Sequence, residues 1–75
     1  MNIIKEIRSV TGLSQGQFAK LFEVSRNTVI KWDQGTAKPP MYVPKMMLRI
    51  LIAEENEYNE EELKVLQQWF SEQDD

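Results

Sequence analysis

The stretch LSQGQFAKLFEVSRNTVIKWDQG, residues 13–35, decides the fold of this chain. It holds two short segments with apolar residues at helical spacing. Each segment follows a serine, Ser14 or Ser25, whose hydroxyl can accept a hydrogen bond from the first turn of a helix. Gly35 is a typical stop signal after the second segment. The stretch therefore predicts two helices joined by a tight turn, at residues 14–22 and 25–34.

Apolar periodicity predicts three more helices and no strand. The first covers residues 2–10, with an apolar face of Ile3, Ile4, Ile7 and Val10. The fourth covers residues 43–55 and has little polar face, which predicts burial on most sides, either in the core or partly against a second subunit. The fifth, after a connection at 56–59, covers residues 60–71. We expect one compact all-α domain of five helices over residues 1–75.

Composition excludes most kinds of chemistry. The 75 residues include no cysteine and no histidine, so the commonest general base and the commonest metal ligands are missing. Glycine-rich phosphate loops and zinc-protease motifs are also absent from the sequence. No apolar run is long enough for a signal peptide or a membrane span. We expect a cytoplasmic protein that is not an enzyme, with no cofactor, no metal site and no membrane partner.

The net charge of −3 hides a strong asymmetry. Residues 1–53 carry eight basic and three acidic side chains, a formal charge of +5. Residues 54–75 carry nine acidic side chains and only Lys64, a formal charge of −8. A basic body with an acidic end is consistent with a nucleic-acid partner, which the total charge alone would not suggest.

The third helix has a polar face suited to DNA. At about 100° per residue, Val29 and Trp32 point inward, and Asn27 and Lys31 point almost opposite. Ile30 lies beside them, and Arg26 projects from the first turn. Arginine and lysine can donate to guanine, asparagine can pair with adenine, and an aliphatic side chain can contact the thymine methyl. Each residue taken singly can also be an ordinary surface or turn residue. Together they predict a base-reading set of Arg26, Asn27, Ile30 and Lys31.

Residues 7–40 resemble the lambda-repressor/Cro-type (XRE-like) helix-turn-helix family. The matching residues are Leu13-Ser14-Gln15, Phe18-Ala19, Phe22, Val24-Ser25, Thr28-Val29, Trp32-Asp33, Gly35 and Pro39. The match covers about half of the chain, or most of it if helices 4 and 5 complete the usual five-helix domain. Two departures stand out. Glu23 replaces the frequent glycine of the turn and is expected to adopt positive φ, and Asp33 replaces the more usual glutamate.

The resemblance implies a division of labour among the polar residues. Arg8 and Asp33 match a pair that often forms an internal salt bridge, so Arg8 is either structural or a direct DNA contact. The loop at 34–38 would supply amides and Lys38 to phosphates. The expected backbone contacts are Gln15, Thr28, Gln34, Thr36, Lys38 and Lys45.

The acidic fifth helix leaves three interpretations open. It can be a solubilising cover for the core, or it can bind a basic protein as a toxin-neutralising antitoxin does. It can also form a dimer contact through Leu66, Trp69 and Phe70, because large aromatics are common interface anchors. The resemblance favours a homodimer on a palindromic operator. The expected function is a dimeric, autoregulatory repressor of phage or mobile-element type, and the alternative is the antitoxin of a toxin–antitoxin pair.

Overall fold

The computed structural model describes residues 2–54 and 58–72, and within them the chain forms five α-helices and no strand. This confirms the predicted all-α class. The helices are α1 (Ile3–Thr11), α2 (Gln15–Leu21), α3 (Arg26–Gln34), α4 (Tyr42–Ala53) and α5 (Glu60–Glu72). Their ends differ from the predicted ones by at most two residues. Residues 55–57, where helix 4 was expected to end and the connection to begin, lie outside the described residues.

Local hydrogen bonds explain where the first three helices begin and end. The side chains of Asn2, Ser14 and Ser25 accept hydrogen bonds from the backbone N–H three residues later, as N-caps do. Ser14 also forms a reciprocal capping box with Gln17. At the other ends, Gly12 and Gly35 have φ of 69° and 76°, and this left-handed conformation stops α1 and α3.

The core is a single cluster to which every helix contributes. α2 packs against α3, α4 packs against α5, and α1 contacts α3, α4 and α5, so α1 joins the two pairs. The buried side chains are Ile4, Ile7, Phe18, Ala19, Val29, Trp32, Met47, Leu48, Leu51, Leu63, Leu66 and Phe70. No helix in residues 2–54 or 58–72 is long and apolar enough to cross a membrane.

Within the single chain α4 is buried on one side only, so the prediction that the core covers most of its surface is wrong, and partial burial against a second subunit stays a prediction. Met47, Leu48 and Leu51 lie in the core, but the opposite face is open in the single chain. On that face, Tyr42 and Met46 are 63% and 52% exposed. The reason is geometric: α5 and α1 cover only one side of α4, so its remaining apolar residues stay at the surface.

Candidate nucleic-acid interface

α3 is fixed by its inner face and presents its polar outer face. Val29 and Trp32 are buried in the core, as the helical spacing predicted. Arg26, Asn27 and Lys31 are exposed. Ile30 is half-buried, so it forms an apolar edge of this face and does not stand free in solvent. The structure thus places Arg26, Asn27 and Lys31, and the exposed part of Ile30, on one accessible surface of α3.

The turn between α2 and α3 sets the position of that surface. Glu23 has φ of 56°, which confirms the predicted left-handed conformation. The backbone N–H of Val24 donates to the carbonyl of Ala19 at 3.0 Å, so the chain closes tightly after α2. The rings of Phe18 and Phe22 meet edge to face, with centroids 4.8 Å apart, beneath the turn. The two helices are therefore held together by packing at the turn itself.

An ion pair between α1 and α3 forms as expected. Arg8 Nη2 lies 2.9 Å from Asp33 Oδ2, and Arg8 Nε donates to the same oxygen at 3.0 Å. The Asp33 side chain is only 7% exposed and that of Arg8 is 24% exposed. Arg8 Nη1 also donates to the carbonyl of Leu13 at 3.1 Å. These internal contacts favour the structural role of Arg8 over direct contact with DNA.

Gln15 joins this ion pair, which the sequence did not predict. Its Nε2 donates to Asp33 Oδ2 at 3.0 Å, so this single oxygen links α1, α2 and α3. The other oxygen, Asp33 Oδ1, is buried without a hydrogen-bond partner in the described part of the chain. An unpaired buried oxygen costs about 1–3 kcal/mol. The network therefore orients the Gln15 and Arg8 side chains and adds little to the free energy of unfolding.

Asn2 makes a second contact between α1 and α3 that sequence reasoning missed. While its Oδ1 caps α1, its Nδ2 donates to the carbonyls of Trp32 at 2.7 Å and Asp33 at 3.0 Å. These carbonyls belong to the last turn of α3, and the Trp32 carbonyl also accepts from the Gly35 N–H at 3.1 Å. An asparagine that caps a helix through its oxygen still has a side-chain NH₂ group that can donate. Nothing in the sequence indicates that the acceptor lies 30 residues away.

Four of the six predicted backbone-contact residues lie on α3 or in the loop that follows it. Gln34, Thr36 and Lys38 are exposed at the end of α3 and in the loop that follows, on one continuous segment. The Thr36 amide donates to the Lys31 carbonyl at 3.0 Å, which keeps this loop folded against the end of α3. Thr28 is half-buried, and its hydroxyl shares a 2.7 Å hydrogen bond with that of Ser25, so it is partly committed to the cap.

Lys45 lies in a different place from the loop residues. Its Nζ sits 5.7 Å from the centroid of the Phe70 ring, a cation–π contact between α4 and α5. The groove around it is also lined by Leu48, Arg49 and Lys64. The structure therefore does not join Lys45 to the α3 surface.

The C-terminal aromatic cluster is mostly interior. Leu66 and Phe70 are 6% and 3% exposed within the single chain, so they have almost no surface to offer a partner. These two residues belong to the apolar face of α5, which packs against α4 and α1. Only Trp69 remains half-exposed, with its ring centroid 6.0 Å from that of Phe70. The predicted dimer contact is thus corrected for Leu66 and Phe70 and stays a prediction for Trp69.

The basic side chains around α3 and the acidic first turn of α5 lie on different helix pairs. Lys20, Arg26, Lys31 and Lys38 are exposed on α2, α3 and the following loop. Glu60, Glu61 and Glu62 are exposed in the first turn of α5, where the helix dipole favours negative charge. Asn59 Oδ1 accepts from the Glu62 amide at 3.2 Å, so its side chain caps α5. α5 packs against α1 and α4, so its acids belong to the other part of the molecule.

Within residues 2–54 and 58–72, no group of three or more His, Cys, Asp or Glu side chains is placed to hold a metal ion. No protein family, curated protein or solved structure matches the chain. The functional argument therefore depends on the geometry of the α2–α3 unit itself.

Proposed function

We propose that this protein is a sequence-specific binder of double-stranded DNA that places α3 in the major groove. The observation that carries the proposal is the two-sided character of α3. Val29 and Trp32 anchor it in the core, while Arg26, Asn27 and Lys31 are exposed together on the outer face. A short helix presented by a second helix and a tight turn is the usual geometry for insertion into the groove.

Each part of the surface has a role that matches its chemistry. Arg26 and Lys31 donate to guanine O6 and N7, and Asn27 pairs with the N6 and N7 edge of adenine. The half-buried Ile30 contacts a thymine methyl at the edge of the helix. Phosphates are bound by exposed groups around α3, mainly Gln34, Thr36 and Lys38. Gln15, oriented by Asp33, adds a contact from the start of α2.

The regulatory role follows from the size of the domain. One unit of this size offers few phosphate contacts, and two linked copies multiply the affinity and read an inverted repeat. We assign the protein to Cro/repressor-like regulators of phage or mobile-element type, acting in the cytoplasm as a homodimer. A dimer on an operator near its own gene represses transcription by covering promoter elements. This role needs no catalysis.

The experiment is selection of bound sequences from a random double-stranded DNA library at physiological salt. We expect an enriched inverted repeat with half-sites about one helical turn apart. The Asn27→Ala variant should lose enrichment at particular bases. Gln67→Ala, an exposed change on α5, is the matched control and should select the same sequence as the unmodified protein. Failure to enrich any sequence would show that DNA is not a specific partner.

A second candidate function has its own observation. Glu6, Glu61 and Glu62 line a groove between α1 and α5, and the lining also includes the apolar Val10 and Val65. A basic, partly apolar protein segment would be complementary to this groove, as expected for an antitoxin that neutralises a toxin. The test is co-purification with the product of a neighbouring gene, comparing the unmodified chain with a Glu61→Lys, Glu62→Lys variant. Loss of binding in the variant would support the antitoxin role.

A further inference from the structure

The exposed face of α4 has an unusual composition for a surface. Tyr42, Met46 and Ile50 are 63%, 52% and 42% exposed and lie four residues apart, so they form one stripe along the helix. Contiguous apolar surface on a small protein commonly marks an interaction site. We call Tyr42, Met46 and Ile50 the α4 stripe.

The geometry points to a second copy of this chain as the occupant of the α4 stripe, with the two α4 helices antiparallel across a two-fold axis at Met46. This inference deepens the proposed function and rests on it for the arrangement of the two copies on DNA. A stripe of equally spaced residues is self-complementary under such an axis, because Tyr42 of one copy meets Ile50 of the other while Met46 meets Met46.

The charges around the stripe are compatible with an antiparallel pair. In this register Arg49 lies beside the partner's Tyr42, where the guanidinium can stack on the ring. Across the two-fold axis, the two Arg49 residues are offset by six residues, about 9 Å along the helices. This distance is close to the Debye length at physiological salt, so salt screens their repulsion. Lys45 is directed at Phe70 of its own chain and stays away from the stripe.

The ends of α4 add a specific complementarity. The helix begins at Tyr42 without a side-chain cap and with no acidic residue in its first turn, so neither feature offsets the positive end of its dipole. Glu54, at the opposite end of the same helix, sits at the negative end of the dipole, where a carboxylate is unfavourable. In the antiparallel pair, each Glu54 lies near the start of the partner's α4. The carboxylate then interacts favourably with the positive end of that helix dipole.

Size sets the expected strength of the pair. A stable dimer buries about 800 Å² on each partner, and a few side chains of one helix face provide less. The free protein should therefore dimerise weakly, and an inverted repeat should complete the dimer by binding both copies. The Cα extents of one copy are 30 × 28 × 17 Å, so the centres of two copies in contact are separated by a distance of the same order as the about 34 Å between half-sites.

The test uses the absence of cysteine from the sequence. In the Met46→Cys variant, the only thiol of each copy would lie at the two-fold axis, next to that of its partner. Val65→Cys is the matched control, because Val65 is a 67% exposed apolar residue on α5, outside the stripe. Under mild oxidation without DNA, we expect the Met46→Cys disulfide dimer to form at least about tenfold faster than the Val65→Cys dimer. Equal rates would overturn the proposal.

Sedimentation of the unmodified protein and of Met46→Glu is the second measurement. The unmodified protein should show a concentration-dependent dimer that Met46→Glu abolishes, and a dimer that persists in Met46→Glu would also overturn the proposal. Neither measurement contains DNA, so failure here is separate from failure of the library selection. If the disulfide forms selectively but no DNA sequence is enriched, the α4 stripe stands as a self-association surface and the proposed function fails.

Discussion

Gln15 and Asp33 lie on different helices and are joined by a 3.0 Å hydrogen bond from Gln15 Nε2 to Asp33 Oδ2. The same oxygen receives Arg8, so one carboxylate at the end of α3 fixes side chains from α1 and α2. This link ties the start of α2 to the end of α3. The stability of the fold and the position of Gln15 can therefore be tested together at this network.

Arg8→Met should destabilise the fold by about 1–3 kcal/mol. The change leaves the buried Asp33 carboxylate without its cation, and breaking a fully buried pair costs more than this. The partial exposure of Arg8 and the remaining bond to Gln15 reduce the cost. Urea unfolding measures the difference. Lys64→Met is the control: it removes the exposed Glu60–Lys64 pair, both 63% exposed, and should change stability by less than about 1 kcal/mol.

Glu23→Gly should stabilise the protein by about 1 kcal/mol, because glycine adopts the positive φ of this turn without steric cost. Glu23→Gln separates conformation from charge, since it keeps a side chain at φ of 56° and removes only the carboxylate. On the proposed DNA both variants should bind more tightly, but only the glycine variant should raise the thermal midpoint. An equal rise in both would mean that charge, not backbone strain, is the cost of Glu23.

The three glycines should respond differently to alanine. Gly12→Ala and Gly35→Ala should each cost about 1 kcal/mol, because both sites have positive φ although neither has a heavy atom within 4 Å of an added Cβ. Gly16 lies inside α2 with the same open surroundings, and Gly16→Ala should stabilise by about 0.5–1 kcal/mol. Thermal unfolding of the three variants checks the opposite signs. Destabilisation by Gly16→Ala would contradict the helical assignment there.

Base-reading and phosphate-binding residues should differ in how they affect DNA binding. On the selected operator, Asn27→Ala or Lys31→Ala should cost about 1–3 kcal/mol and relax preference at particular base pairs. Lys38→Ala should weaken binding to all sequences alike and reduce the slope of log affinity against log salt by about one contact. Titrations on the operator and its single-base variants at several salt concentrations measure both effects. A change in base preference in Lys38→Ala would show that this division of roles is wrong.

The helices were predictable because each has a local signal. Serine caps, a stop glycine and apolar spacing predict α1, α2 and α3 to within two residues. The positive φ of Glu23 was expected from the family resemblance, in which glycine is frequent at this turn. The outward face of α3 followed from the same spacing. Local signals cannot show which other helix a stripe packs against. For that reason the interior position of Leu66 and Phe70 and the open face of α4 emerged only in three dimensions.

The long-range polar contacts were the least predictable part of the site. Arg8 and Asp33 could be paired through a family resemblance, but the contacts of Gln15 with Asp33 and of Asn2 with the end of α3 join residues 18 and 30 positions apart. Nothing in the spacing of a single glutamine or asparagine identifies such partners. Their positions depend on how α1 crosses α3, which is set by the packing of the whole core.

The separation of charge between the α2–α3 unit and α5 has a consequence for the approach to a polyanion. Glu60, Glu61 and Glu62 are exposed on a helix that does not share the α3 surface, so these acids are held apart from the basic side chains around α3. Near the proposed DNA, this arrangement would favour an approach with the acidic turn directed away from the phosphates. The acids of α5 would then favour the orientation in which α3 faces the DNA, without contacting it.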